Sequence, residues 1–472
     1  MNLQEIQNKS IFILGDLMID TYYEGSVNRI SPEAPVPIVR VKKVRHVPGG
    51  AANVALNLKG LNCKIDLWGI YGKDTNGKLL KNLLEKNKIK NHSIETENST
   101  VTKSRVIGNK QQIVRIDFET ENFIIDNKIA DQITKTFEKG INNCDIAVIS
   151  DYGKGVCSKY LCQKIIRLCN KYNKKVIIDP KGSDWEKYNG AYMVTPNVKE
   201  LSEIAHHKLK NEDHLLKEAG IQIIKTLNLN KLLITRSEKG MSLISPDGTF
   251  KNFDTVAKEV FDVSGAGDTV VATIAACLAA NFEINDSISI ANKAAEIVVG
   301  RIGTTPVSFN ELKNKLVYTR ENEKIVTVSE LKKILSSQRN KKIVFTNGCF
   351  DVLHKGHVIY LQKAREIGDI LIVGLNTDDS VKKLKGPSRP VNNQTARAIV
   401  LSALECVNYV VLFSEDTPYE LIKELSPNVL VKGSDYKKEE VIGGDLVDEI
   451  KLINFEKGYS SSNIIKKLNE GE

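Results

Sequence analysis

Short apolar runs rich in isoleucine, leucine and valine alternate with helical stretches along most of this chain, and the alternation runs through two separate cycles. In the first, IFILG (11–15), KIDLWGIYG (64–72), DIAVIS (145–150), KVIIDP (175–180) and KLLITR (231–236) read as buried strands. Helical stretches such as KLLKNLLEKNKI and KYLCQKIIRLCNKYNKK lie between them. Such alternation predicts a largely parallel sheet covered by helices, an α/β fold. SRVIGNKQQIVRIDFE (104–119) breaks the pattern and reads as a hairpin for a small accessory sheet or lid. The second cycle comprises KKIVFTNG (341–348), DILIVGLN (369–376), YVVLFS (409–414) and NVLVKG (428–433). Between the cycles, KNKLVYTRENEKIVTVSE (313–330) is charged and has no sustained apolar period. The junction is therefore expected near residue 320, with domains at 1–318 and 329–472 and a linker at 319–328. At 472 residues the chain exceeds one ordinary domain.

Composition excludes several classes. No run approaches the roughly 18 apolar residues that span a membrane, and MNLQEIQNKS lacks the basic and apolar regions of a secretory signal. The eight cysteines are scattered without a CxxC pair, as reduced core residues of a cytoplasmic protein would be. The net charge of +9 comes from lysines interspersed with acids. There is no block of like charge and no aromatic–basic interleaving, so nucleic-acid binding is not expected. A modest basic excess suits anionic small molecules equally well.

FDVSGAGDTVVATIAACLAA (261–280) carries the most chemistry in the first half. Gly265, Ala266 and Gly267 precede an apolar helix expected to begin near Asp268. Small residues there let backbone N–H groups approach an anion at the positive end of the helix. Asp268 is placed to remove a proton from an attacking hydroxyl, or simply to cap the helix. GDLMID puts Asp16 directly after a strand, at the sheet edge where open α/β folds bind ligands. VPGGAANVALNLKGL has Gly49 and Gly50 opening a helix with Asn53 on its first turn, and TPNVKE spaces Asn197 and Glu200 three apart. The ordered set over residues 8–315 resembles the ribokinase-like (PfkB) sugar kinases. That resemblance implies Asp268 as catalytic base, an anion hole at Gly265–Gly267 and sugar contacts from Asp16, Gly49, Gly50 and Asn53. It also implies Asn197 and Glu200 near magnesium-bound ATP, Thr235, Ser237 and Gly240 in the nucleotide pocket, and a monovalent cation in this domain.

In the second half, FTNGCFDVLHKGHVIYLQKA places His354 and His357 around Gly356 at a strand–loop–helix junction. Zinc would need further ligands, for which Cys349 and Asp351 are the near candidates. Phosphate binding by two imidazoles beside a helix N-terminus fits the spacing better, and a structural pair is the third reading. NTDDSVKKLKGPSRPVNNQTARA (376–398) reads as a long basic loop able to close over a triphosphate, and YSSSNIIKKL sets Ser460, Ser461 and Ser462 at a helix start. Residues 327–472 resemble the HxGH nucleotidyltransferases of the cytidylyltransferase-like superfamily, a Rossmann-like fold. The resemblance implies that His354 and His357 stabilise the transition state as pyrophosphate leaves. It places Cys349, Phe350, Lys385, Arg389, Lys432 and Ser460–Ser462 around the nucleotide.

The combination resembles the bifunctional heptose 7-phosphate kinases / heptose 1-phosphate adenylyltransferases of Gram-negative bacteria. What this implies is ATP-dependent phosphorylation of heptose 7-phosphate at C1, then adenylyl transfer to heptose 1-phosphate, giving ADP-heptose for the lipopolysaccharide core. Magnesium would serve both sites. A separate C7 phosphatase acts between the steps, and the chain is expected to form a homodimer. The residues alone leave open another sugar phosphate, or CTP in the second domain.

Overall fold

The computed structural model describes residues 2–109, 111–120, 123–255, 265–301, 305–336, 338, 340–434 and 436–454. The chain divides into two compact units, Met1–Asn314 and Lys315–Glu472.

In the first unit the apolar runs form a nine-stranded sheet. Ser10–Gly15 lies between Lys64–Trp68 and Ile146–Ser150, parallel to both. Outward from Ile146–Ser150 follow Lys175–Asp179, Met193–Val194 and Lys231–Thr235, all parallel, and then the antiparallel Met241–Ile244 and Phe250–Phe253. Lys90–Asn91 is the opposite edge. Ile11, Ile13, Leu14, Ala147, Val148 and Ile149 are fully buried, as runs without polar alternation require. The winding reverses between Ser10–Gly15 and Ile146–Ser150, and the crevice at the carboxyl ends of such a pair is where open α/β sheets bind ligands. Asp16 and Asp151 follow these two strands directly.

The hairpin expected at 104–119 forms from Val101–Gly108 and Gln111–Phe118. The sequence reading did not anticipate its neighbours. Leu17–Ile30 and Pro37–Gly50, 14 residues each, pair antiparallel, and Leu17–Ile30 runs parallel to Val101–Gly108 to complete a four-stranded sheet. Much of this sheet stands away from the core, and Val41, Val44, Ile116 and Phe118 stay exposed. Leu17 to Tyr22 and Pro48 to Gly50 are buried, but the rest of these two strands has little core to face and carries little period-2 signal.

The second unit holds a five-stranded, wholly parallel sheet in the order Tyr409–Phe413, Ile370–Asn376, Ile343–Gly348, Val429–Gly433, Glu449–Ile453. Its switch of winding falls between Ile343–Gly348 and Val429–Gly433. Two expectations differ from the structure. The supposed linker is largely ordered: Phe309–Glu323 is helical, and Ile325 bridges to Val410 beside the edge strand Tyr409–Phe413. The supposed long basic loop at 376–398 is mostly two helices, Asp378–Lys385 and Gln394–Ser402. Asp378 and Asp379 in the first turn and three lysines in the last complement the dipole of the former. Asn393 caps the latter, accepting from Ala396 N–H at 2.9 Å.

Candidate active sites

Asp268 is the third residue of the helix Ala266–Ala279, which Gly265 opens in the left-handed conformation at φ 79°. It is therefore not the cap. Its buried carboxylate accepts from Asn53 Nδ2 at 2.6 Å and from the Tyr152 hydroxyl at 2.7 Å. Burial pushes its carboxyl up to about 6, against the lowering effect of those two donors. A side chain at Gly267 would meet nothing within 4 Å, so the backbone there is open to a ligand.

A cleft of about 190 Å³ brings Asp268, Gly265 and Gly267 together with Asn197, Glu200 and Thr235. Asn197 and Glu200 form a reciprocal capping box at the helix Val198–Ile204, and Glu200 also accepts from Lys181 Nζ at 3.1 Å. The NxxE spacing thus has a structural cause in addition to its place in the cleft. Ser237 and Gly240 lie in the adjoining turn and do not line this cleft. Residues 261–264 of the glycine motif lie outside the described residues.

Three residues assigned to sugar contact turn out to have internal duties. Asp16 accepts from the backbone N–H groups of Tyr152, Lys154 and Val156 at 2.8–3.0 Å and does not line the Asp268 cleft. Its carboxylate holds the loop that delivers Tyr152 to Asp268. A Cβ at Gly49 would strike the Asp20 carboxylate, and one at Gly50, whose φ is +60°, the Asp16 carbonyl. Asn53 is the member of that set that touches Asp268, and its buried Oδ1 has no hydrogen-bond partner among the described residues.

Sequence reasoning missed Tyr152 and Asp179. Tyr152 lies two residues past the strand Ile146–Ser150 and Asp179 ends the strand Lys175–Asp179, both at carboxyl ends that line the crevice, and that position in DYGKG and IIDPKG was the available signal. Asp179 holds its proton well above the usual carboxylate range, through burial and the nearby charges of Asp268, Glu200 and Asp151. Removing the Tyr152 hydroxyl takes away a donor that lowers the Asp268 pKa. Tyr152→Phe is therefore expected to move the acid limb of the kinase kcat/KM profile upward from about 6, while costing less than about tenfold at pH 8. An unmoved acid limb would show that Tyr152 does not act on the base.

In the second unit His354 occupies the position just before the helix Lys355–Arg365 and His357 is the third residue of that helix. The two rings stack at 3.9 Å between centroids, and Phe350, held at φ 42°, meets His357 edge-on at 5.3 Å. Burial, His354 and Lys385 push His357 down to about 4, and burial lowers His354 as well, so both imidazoles are neutral near pH 7. His357 Nδ1 is buried with no hydrogen-bond partner among the described residues. A cleft of about 530 Å³ gathers His357 with Cys349, Phe350, Lys385 and Lys432. It opens at the switch point, where Lys432 Nζ donates to Asn347 Oδ1 at 2.6 Å across the two strands.

Arg389 reaches this region through Asp351, which accepts from its Nε and from Val391 N–H at 2.7 Å. The Arg389 Nη2 is buried without a partner among the described residues. Asp351, considered as a zinc ligand, is thus committed to fastening the 389–392 segment. Arg397, not singled out from sequence, fastens the same region. It donates to the Cys349 carbonyl at 2.6 Å, the Asn392 carbonyl at 3.0 Å and Asp378 at 2.8 Å. Among the described residues, no group of three potential metal ligands includes either histidine. Ser460, Ser461 and Ser462 lie outside the described residues.

Fold and sites define a two-part phosphoryl- and nucleotidyl-transfer protein. Residues 8–311 match the pfkB family carbohydrate kinases and residues 345–467 the cytidylyltransferase-like family. The chain is 47% identical over 470 residues to the "Bifunctional protein HldE" of Aliarcobacter butzleri, covering 98% of each, and 45% identical over 472 residues to that of Haemophilus influenzae, with the same coverage. The first unit is similar in fold to phosphofructokinase-2 from Escherichia coli, solved in complex with potassium (TM-score 0.55, 18% identity, 66% of this chain and 99% of that one). It is likewise similar to Arabidopsis thaliana ribokinase, solved with ribose and ATP (TM-score 0.52, 18% identity, with the same coverage). The chain belongs to the bifunctional HldE family, and it is an enzyme with kinase and nucleotidyltransferase activities.

Proposed function

We propose that Asp268 and the Gly265–Gly267 turn carry the kinase step, and His354 and His357 the adenylyl step, of ADP-heptose synthesis. The chain is a bifunctional heptose kinase and adenylyltransferase, as its full-length relatives are. In the first unit the C1 hydroxyl of heptose 7-phosphate attacks the γ-phosphorus of ATP, the bond to the ADP oxygen breaks, and the proton passes to Asp268. The observation that supports this most is the seat of Asp268: a buried carboxylate, ionised above about pH 6, on the first turn of a helix whose N-terminus opens onto the cleft. Magnesium, when bound with ATP, neutralises charge on the phosphate oxygens. Asp179, Glu200 and Asn197 would hold it or its water, and the mutual repulsion of Asp179, Glu200 and Asp268 fits a cation there. A monovalent cation is proposed for this unit as well.

In the second unit an oxygen of the sugar 1-phosphate attacks the α-phosphorus of ATP and pyrophosphate departs. His354 and His357 donate to the phosphates while Lys385, Arg389 and Lys432 supply positive charge. Serines 460–462 are assigned to the same nucleotide. No helix among the described residues is long and apolar enough to cross a membrane, and we place both reactions in the cytoplasm. The exposed apolar residues of the accessory sheet support a homodimer.

The kinase product carries phosphate at C1 and C7, whereas the second unit uses the C1 monophosphate. A separate C7 phosphatase must act between them. Purified protein given heptose 7-phosphate and ATP is expected to form the bisphosphate alone, and ADP-heptose only when a C7 phosphatase is added. ADP-heptose without the phosphatase would overturn the scheme.

A further inference from the structure

The accessory sheet carries an imbalance of charge next to the kinase centre. In register, Lys103 on Val101–Gly108 lies between Asp20 on one neighbouring strand and Asp117 on the other. Both carboxylates are already taken. Asp20 is buried and paired with Arg105 Nη1, and Asp117 is held by Arg115 through two bonds of 3.0 Å. The next cation, Lys154, pairs with Glu119 at 2.6 Å. Lys103 is left over: among the described residues no carboxylate lies within 4.0 Å of its ammonium, although the side chain is partly buried.

Its position gives that surplus charge a direction. Lys103 Nζ lies 5.3 Å from the centroid of the Tyr152 ring, and the hydroxyl of the same ring donates to Asp268 at 2.7 Å. Asp20 and Lys103 both lie close enough to bias the Asp268 carboxyl, in opposite senses. Asp268 therefore stands between the cleft lined by Asn197 and Glu200 and an accessory-sheet side on which Lys103 faces two carboxylates that are each already paired with an arginine. Burial, with the charges of Lys154 and Arg115, outweighs the opposing pull of Asp20 and Asp117 and holds the Lys103 ammonium below its ordinary pKa.

We propose that Lys103 binds the phosphate that the sugar substrate already carries, the one remote from the attacking hydroxyl, and so makes the kinase selective for a sugar phosphate over the free sugar. The assignment rests on the reading of the first unit as a heptose 7-phosphate kinase. A phosphate oxygen would complete the ion pairing that Asp20 and Asp117 cannot supply.

The test compares Lys103→Met, Lys103→Gln and Lys103→Arg with wild type, using heptose 7-phosphate, unphosphorylated heptose and ATP as varied substrates. Loss of a charge-assisted contact is expected to raise KM for heptose 7-phosphate about 10- to 100-fold. KM for ATP and kcat/KM for free heptose should stay within about threefold, and arginine should restore most of the affinity. Competition by inorganic phosphate against heptose 7-phosphate should weaken in parallel. An unchanged KM for heptose 7-phosphate in a folded Met or Gln variant would sink the proposal. An equal loss on both sugars would sink it too, since a merely structural lysine would act that way. A wild type that ignores heptose 7-phosphate but phosphorylates another sugar phosphate would defeat the heptose reading instead, and Lys103 would be judged by the same ratio on that substrate.

Discussion

Replacing Asp268 by asparagine is expected to lower kinase turnover by about two orders of magnitude or more and to leave adenylyl transfer unchanged. The amide cannot take the hydroxyl proton. The substitution is also clean, for a reason visible only in the structure. Asp268 is not the helix cap, so no capping bond is lost. The new amide nitrogen would face a donor on either side, but the Asn53 side chain can turn over and offer its Oδ1, which has no partner among the described residues. The sign of the stability change follows from the carboxyl itself. Its folded pKa, about 6, exceeds the ordinary 3.8, so ionisation opposes folding, and stability on this account rises as pH falls from 6 toward 4. Asparagine removes that cost at pH 7, so the variant should melt at the same temperature as wild type or slightly higher. Scanning calorimetry with separate assays of the two activities checks both halves. Undiminished kinase turnover would remove Asp268 from the chemistry.

His354→Ala is expected to cut adenylyl transfer by about two to four orders of magnitude, the scale of losing a preorganised donor to developing charge, with kinase activity intact. ATP affinity should weaken less than turnover, because the contact strengthens as the transition state forms. The stacked, neutral ring pair adds a detail. An ammonium or imidazolium beside His357 disfavours its protonation, and a polyphosphate reverses that bias. The His357 resonances in an NMR titration should therefore report a higher pKa with ATP bound than without. Loss of bound zinc with unfolding of the unit would instead establish the metal reading.

Much of both sheets could be read directly from the chain because strands buried on both faces are written as unbroken apolar runs, and IFILG or DILIVGLN has no other comfortable place. The GAGD turn and the HxGH pair were equally legible, since a glycine at positive φ and a helix start are local requirements. The accessory strands at 17–50 were not, because a sheet with little core to face leaves no periodicity behind. The helix at 378–385 reads as a basic loop by its lysines, and its paired acids at one end and bases at the other are the local signal that matches a helix dipole.

Residue type and spacing along the chain determined which chemistries this protein could perform: a carboxylate and an anion-binding turn in one unit, two imidazoles at a helix start in the other. Tertiary structure alone decided what each group does there. Asn53 and Tyr152 lie 215 and 116 residues from Asp268, yet both donate to it. Asp16 accepts from the loop at 152–156, and Gly49 and Gly50 pack where a Cβ would clash, contacts that no spacing along the chain announces. Electrostatics and hydrogen bonding act over a few ångströms of space whatever the separation in sequence. The raised pKa of Asp268, the pairing of Asp351 with Arg389 and the setting of Lys103 between two carboxylates paired elsewhere therefore exist only once the strands have brought those residues together.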